Sequence, residues 1–209
     1  IRRQRGKIAY RDKEILAMDE TAVWQDMVSN TTVDNIGEST TRLKTTGHEK
    51  RKVSVCLAAK GDGTKLKPFI VFAGAKRETK ALNNDFKTKC VVAFSINTWM
   101  NEELFATVSW TSWMLAWDSL RCHVLDSVKQ ELNRGKKDSV IVPGGCTKYT
   151  QAHDVSRNKP FKTKVTEKYE EWIANGQHTF IAVGNMRTPR IVQILEAGND
   201  LDKGIIVNS

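Results

Sequence analysis

Residues 14–24 read EILAMDETAVW, and the fold turns on how they are taken. From Ile15 to Trp24 apolar and polar positions alternate closely enough to predict a strand. Successive side chains of a strand point to opposite faces, so Asp19 and Glu20 cannot serve one site. An acid inside an apolar strand is costly to bury without a partner or an ion, which makes Asp19 a candidate functional residue. The plainer alternative is a turn or surface acid. Two more runs, VSVCLAA at 53–59 and KPFIVFA at 67–73, are strand-like. The KGDGTKL between them supplies Gly61, Asp62 and Gly63 for a turn, so the pair is predicted to be an antiparallel hairpin.

The second half of the chain changes rhythm. From Asn101, NEELFATVSWTSW takes on helical spacing through Leu104, Val108 and Trp113, and WMLAW at 113–117 reads as a buried strand. Leu125, Val128 and Leu132 again have helical spacing, and SVIVP is a short strand stopped by Pro143, Gly144 and Gly145. After Asp154 a helix carries Val165, Tyr169, Trp172 and Ile173, and Thr188-Pro189 opens a last helix that Gly198 ends.

Hairpin strands followed by strands alternating with helices predict an α/β fold of the ribonuclease H-like type. Its core would be a mixed five-stranded sheet, with antiparallel hairpin strands plus parallel strands, flanked by helices. In that layout the first and fourth strands are neighbours. Asp118 in SWMLAWDSLRCH would then meet Asp19, with Asp154 of PGGCTKYTQAHDVSRNKPFK arriving from the start of the next helix. Three converging carboxylates suit Mg²⁺ or Mn²⁺, hard cations that take oxygen ligands. A pair of such ions about 4 Å apart can activate a nucleophile and stabilise the leaving oxygen of a phosphodiester. Asp154 could also simply cap its helix.

Composition narrows the class. The 209 residues carry a formal net charge of +9, with 40% hydrophobic and 27% charged residues, as in a soluble globular domain with a polyanionic partner. Cys56, Cys90, Cys122 and Cys146 are isolated and fit reduced thiols in the nucleus or cytosol. A zinc site drawn from Cys122, His123, Cys146 and His153 matches no common spacing. No apolar run is long enough to span a bilayer, and the charged start IRRQRGKIAYRDKE is no signal peptide. Neither a membrane nor a small-molecule cofactor is expected. Trp110, Trp113 and Trp117 lie beside a core strand, which favours packing over base stacking. Lys159, Lys162, Lys164 and Lys168 crowd the helix after Asp154, either as a solvated face or as a phosphate-tracking ridge.

The ordered motifs MDETAVWQDM, TTGHEKRKVSVCLAAKGDGTKLKPFIVFAG, TWMNEEL, LAWDSLRCHVLDSV and VPGGCTKYTQAHDVSRNKPFK cover most of the chain. Together they resemble the DDE-type endonuclease domain of pogo-like transposases, a group related to jerky and centromere protein B, and most closely those bearing a KRAB domain. The resemblance implies that Asp19, Asp118 and Asp154 are the first, second and third catalytic acids and the ligands of two Mg²⁺ or Mn²⁺ ions. It implies a supporting role for His123 near the second acid, DNA as partner in the nucleus, and a homodimer as an arrangement left open. The activity implied is metal-dependent DNA cleavage and strand transfer. The alternative is a domesticated or decayed copy acting as an inactive nuclear regulatory protein.

Residues 1–13 are expected to form a basic linker or arm, 14–180 the catalytic domain, and 181–209 a truncated helical extension. A start without Met suggests a fragment, with a DNA-binding helix-turn-helix expected upstream. Between TWMNEEL and LAWDSL the chain is shorter than the family pattern, which predicts a clipped helix or a late strand, and weak or no cleavage, unless residues 75–100 help to bridge the gap.

Overall fold

The strand carrying Asp19 is the pivot of the sheet. The computed structural model describes residues 10–27, 45–48, 50–74, 86–101, 103–104, 114–117, 126–141, 158–175, 177–179 and 189–202. Within them, β1 (Ile15–Trp24), β2 (Lys52–Lys60), β3 (Phe69–Ala73), β4 (Val91–Ser95) and β5 (Met114–Trp117) precede helix α1 (Asp126–Arg134). Strand β6 (Asp138–Ile141) and helices α2 (Lys159–Asn175) and α3 (Arg190–Asn199) follow. The sheet has six strands in the order β4-β3-β2-β1-β5-β6. Strand β2 runs antiparallel to both β1 and β3, whereas the pairs β3–β4, β1–β5 and β5–β6 are parallel.

This is the mixed, ribonuclease H-like layout, with the five expected strands in place and one added. The extra strand is β4, VVAFS, which pairs with β3 from Phe69↔Val91 to Ala73↔Ser95 and extends the sheet beyond the hairpin. The predicted hairpin turn also forms: Gly63 takes φ 83°, and the Asp62 carboxylate accepts the Thr64 N–H at 2.9 Å.

Alternation along the strands divides the core between two faces. On one, Val23, Val53, Val55, Ile70, Val92 and Phe94 pack with Phe161 and Val165 of α2 and Ile191, Ile194 and Ala197 of α3. On the other, Leu16, Met18, Cys56, Phe69, Val71 and Leu115 pack with Val128 and Leu132 of α1. Helix α2 buries Phe161, Val165 and Tyr169, one residue in every four, which puts them in one stripe. Each such side chain, when fully buried, contributes about 1.5–3 kcal/mol. Pro160 falls in the first turn of α2, where a missing N–H costs little. Helix α3 continues one residue past Gly198, and its C-terminal end is held by Lys65, whose Nζ donates to Gly198 O at 2.9 Å, Asn199 O at 3.1 Å and Leu201 O. Cys56 and Cys90 are buried and in no disulfide, and burial pushes the thiol of Cys90 above its ordinary range.

The helix expected from Asn101 begins as predicted, with Asn101 Oδ1 accepting the Leu104 N–H at 2.9 Å in the manner of an N-cap. Residues 105–113, which hold the short connector with Trp110 and Trp113, lie outside the described residues. No described helix is long and apolar enough to cross a membrane.

Candidate functional site

Asp19 sits midway along β1, opposite Leu57 of β2. Its parity places it with Thr21 and Val23 on the α2 side, whereas Glu20 falls with Leu16 and Met18 on the α1 side. The two acids therefore diverge as the alternation requires. On the other edge of β1, pairing with β5 runs Ile15↔Met114, Leu16↔Leu115 and Ala17↔Ala116. Strand β5 ends at Trp117, and the next residue in the sequence is Asp118.

The second contact comes from the start of α2. Asn158, directly before the helix, is 4% exposed and donates from Nδ2 to Asp19 Oδ2 at 2.7 Å. The other oxygen, Oδ1, accepts the Glu20 backbone N–H at 2.8 Å. Asp118, His123 and Asp154 lie outside the described residues. Among the described residues no group of three or more His, Cys, Asp or Glu could hold a metal ion. Asp19 is thus the described member of the expected set, a half-buried hard oxygen donor of the kind Mg²⁺ and Mn²⁺ take.

The four lysines of α2 divide. At 3.6 residues per turn, Lys159 and Lys162 share one side and Lys164 and Lys168 the other. Lys164 pairs with Glu167 at 2.9 Å and Lys168 with Asp200 at 3.6 Å. Lys159 and Lys162 are exposed at the helix end next to Asn158. That end carries the positive pole of the helix dipole, so it favours anions twice over.

A second polar cluster lies past the end of β1. Asp26 accepts the Thr46 N–H at 2.9 Å, the Thr46 hydroxyl at 2.6 Å, the His48 N–H at 3.0 Å and the Tyr169 hydroxyl at 2.7 Å. Burial pushes its carboxyl up, but the bonds from Thr46, Tyr169 and His48 outweigh that and hold it below its ordinary range. Tyr169 is raised, by burial and by its bond to Asp26. Arg190 of α3 lies with its guanidinium 5.2 Å from the Tyr169 ring and donates to Gln25 O. Burial pulls Arg190 down to about 10, against the opposing influence of Tyr169 and Asp26. The cluster ties β1, residues 46–48, α2 and α3 together, so α2 is tethered to β1 both at Asp19 and near Asp26.

Neither Asn158 nor Asp26 stood out in the sequence. A signal for Asn158 did exist, since Asn followed by Lys-Pro is a helix-start pattern, but such patterns report capping and not the strand that the side chain will meet.

No family model matches the chain. A mouse (Mus musculus) protein, "Pogo transposable element with KRAB domain", is 31% identical over 200 residues, covering 88% of this chain and 32% of that protein. The human (Homo sapiens) protein of the same description is 31% identical over 211 residues, covering 92% of this chain and 34% of that protein. The chain thus spans about a third of the length of these relatives. Among solved structures, the Mos1 transposase paired-end complex with left transposon end aligns at TM-score 0.41 and 11% identity, over 99% of this chain and 57% of that one. The catalytic domain of Mos1 mariner transposase gives TM-score 0.41 and 10% identity, over 99% of this chain and 79% of that one. These likenesses are loose, and the fold rests on the strand order given above. Kinship rests instead on identity sustained along nearly the whole chain, by which it belongs to the pogo-like family of transposase-derived domains.

Proposed function

We propose that this domain cleaves DNA and transfers strands with the help of divalent metal ions, using Asp19, Asp118 and Asp154 as its carboxylates. The observation that carries the reading is the position of Asp19 between two described elements, the end of β5 and the start of α2. In the sequence, those elements lead directly into Asp118 and closely follow Asp154. Mg²⁺ or Mn²⁺, when bound, would supply charge stabilisation at a phosphodiester. The chain's own contribution is positional. Asp19 offers oriented oxygens, and Lys159 and Lys162 offer two exposed cations at the adjacent helix end for backbone phosphates. Lys164 and Lys168, already paired, would contribute less. His123 would support the second acid, and residues 14–180 would form the catalytic unit, preceded by the basic arm 1–13. Water and then a DNA 3′-hydroxyl would be the nucleophiles, and the nucleus the place of action.

The test is a Mg²⁺- or Mn²⁺-dependent nicking assay on terminal-repeat DNA with the full-length parent and its Asp19→Asn variant. Nicking by the parent, reduced at least a hundredfold in the variant, is expected. Equal nicking by both would refute the role of Asp19. DNA binding without any nicking would favour the alternative, a domesticated or decayed copy acting as a DNA-associated regulator.

A further inference from the structure

Asn158 is an uncharged donor aimed at the carboxylate on which the proposed chemistry depends. A carboxylate can turn about two bonds, and it is held when its two oxygens are bonded from different directions. Here Oδ2 takes the Asn158 amide at 2.7 Å and Oδ1 takes the Glu20 backbone N–H at 2.8 Å. The Asn158 amide and the Glu20 N–H are both neutral donors. A Lys or Arg in place of Asn158 would hold Asp19 as firmly but would compete with a cation for its charge. Burial of Asn158 to 4% exposure keeps water from replacing the bond. The same bond joins β1 to the start of α2, so the orientation of Asp19 depends on where the helix begins.

We propose that Asn158 is a positioning residue that orients the Asp19 carboxylate toward a divalent cation. This rests on the metal-dependent reading above. Partners that orient metal-binding groups typically alter metal affinity or activity tenfold to a hundredfold when removed.

The experiment is a thermal-shift titration of the full chain with Mn²⁺ and with Mg²⁺, comparing the parent, Asn158→Ala, Asn158→Asp and Asp19→Asn. The metal-free melt and circular dichroism of each variant report whether it folds. In the parent, Mn²⁺ should raise Tm, and in Asn158→Ala the titration midpoint should move to tenfold to hundredfold higher Mn²⁺. Asn158→Asp preserves shape but faces Asp19 with a like charge. Its metal-free Tm should fall, while its rise at saturating Mn²⁺ should exceed the parent's, because the cation would relieve the repulsion. A packing role alone would lower all melts equally and leave the midpoints unmoved. If Asp19→Asn abolishes the response and both Asn158 variants titrate like the parent, Asn158 does not position Asp19, although the metal reading survives. If Asp19→Asn responds like the parent, or the parent does not respond, both the reading and the inference fail.

Discussion

Replacing Tyr169 with Phe should separate the charged part of the Asp26 cluster from its packing. The substitution keeps the ring, which is 1% exposed in the core, and deletes the hydroxyl that donates to Asp26 at 2.7 Å. A hydrogen bond to a charged group contributes about 1.5–3 kcal/mol. Asp26 is only half-buried and keeps its bonds from Thr46 and His48, so the lower end applies, about 1.5–2 kcal/mol. For a domain of this size each kcal/mol shifts Tm by about 2–4 °C, so Tm should fall by about 3–8 °C at pH 7. The sign with pH follows from Asp26. Its folded-state value lies below the ordinary 3.8, so its stabilisation is complete above that value and fades as pH falls through the lower one. The gap between parent and Tyr169→Phe, followed by circular dichroism from pH 7 downward, should therefore hold to about pH 4 and narrow below it. A gap that is absent at pH 7, or that widens in acid, would refute the assignment of Asp26 as the charged hub.

Gly61→Ala should destabilise the hairpin end by about 1–3 kcal/mol, because its Cβ would lie 2.9 Å from the Asp12 backbone oxygen, which cannot swing aside as a side-chain tip could. An urea midpoint equal to the parent's would show that the Asp12–Glu14 turn is looser than its contacts suggest. The double variant Lys159→Ala/Lys162→Ala should weaken DNA binding and reduce the slope of log K against log salt by about 2. Lys164→Ala/Lys168→Ala should change that slope less, since those lysines are paired with Glu167 and Asp200; the opposite ranking would move the phosphate path to the other side of α2.

What the sequence revealed, and what it hid, follows from the reach of each interaction. Strand β1 was legible to the residue because its apolar and polar positions alternate enough to mark a strand although both of its faces meet the core, and the hairpin because Gly61, Asp62 and Gly63 encode their turn locally. Helix α2 announced itself through Val165 and Tyr169 at helical spacing. Strand β4 did not. VVAFS is five residues long, buried at four of them, and so shows neither alternation nor helical period. Asn158 and Asp26 were hidden for a different reason. Their partners lie across the fold, 139 residues away for Asn158 with Asp19 and 143 for Asp26 with Tyr169, and no local pattern reports such a meeting.

Recognising β4 also changes the meaning of the short connector. Measured back from β5 to the motif at Asn101, the link looked too brief for a parallel crossover. With β4 ending at Ser95 on the outer edge of the sheet, the crossover to β5 has all of residues 96–113 to use. That exceeds the roughly dozen residues that a parallel connection requires. Chain length alone therefore does not force β5 out of register. The register supports this, since Ile15↔Met114 through Ala17↔Ala116 aligns β5 with the first residues of β1 and leaves Asp19 beyond the end of the pairing. A feeble nuclease would then need another cause than a strand that starts late, and the first place to seek it is the orientation of Asp19 itself, which the bonds from Asn158 and from the Glu20 N–H help to set.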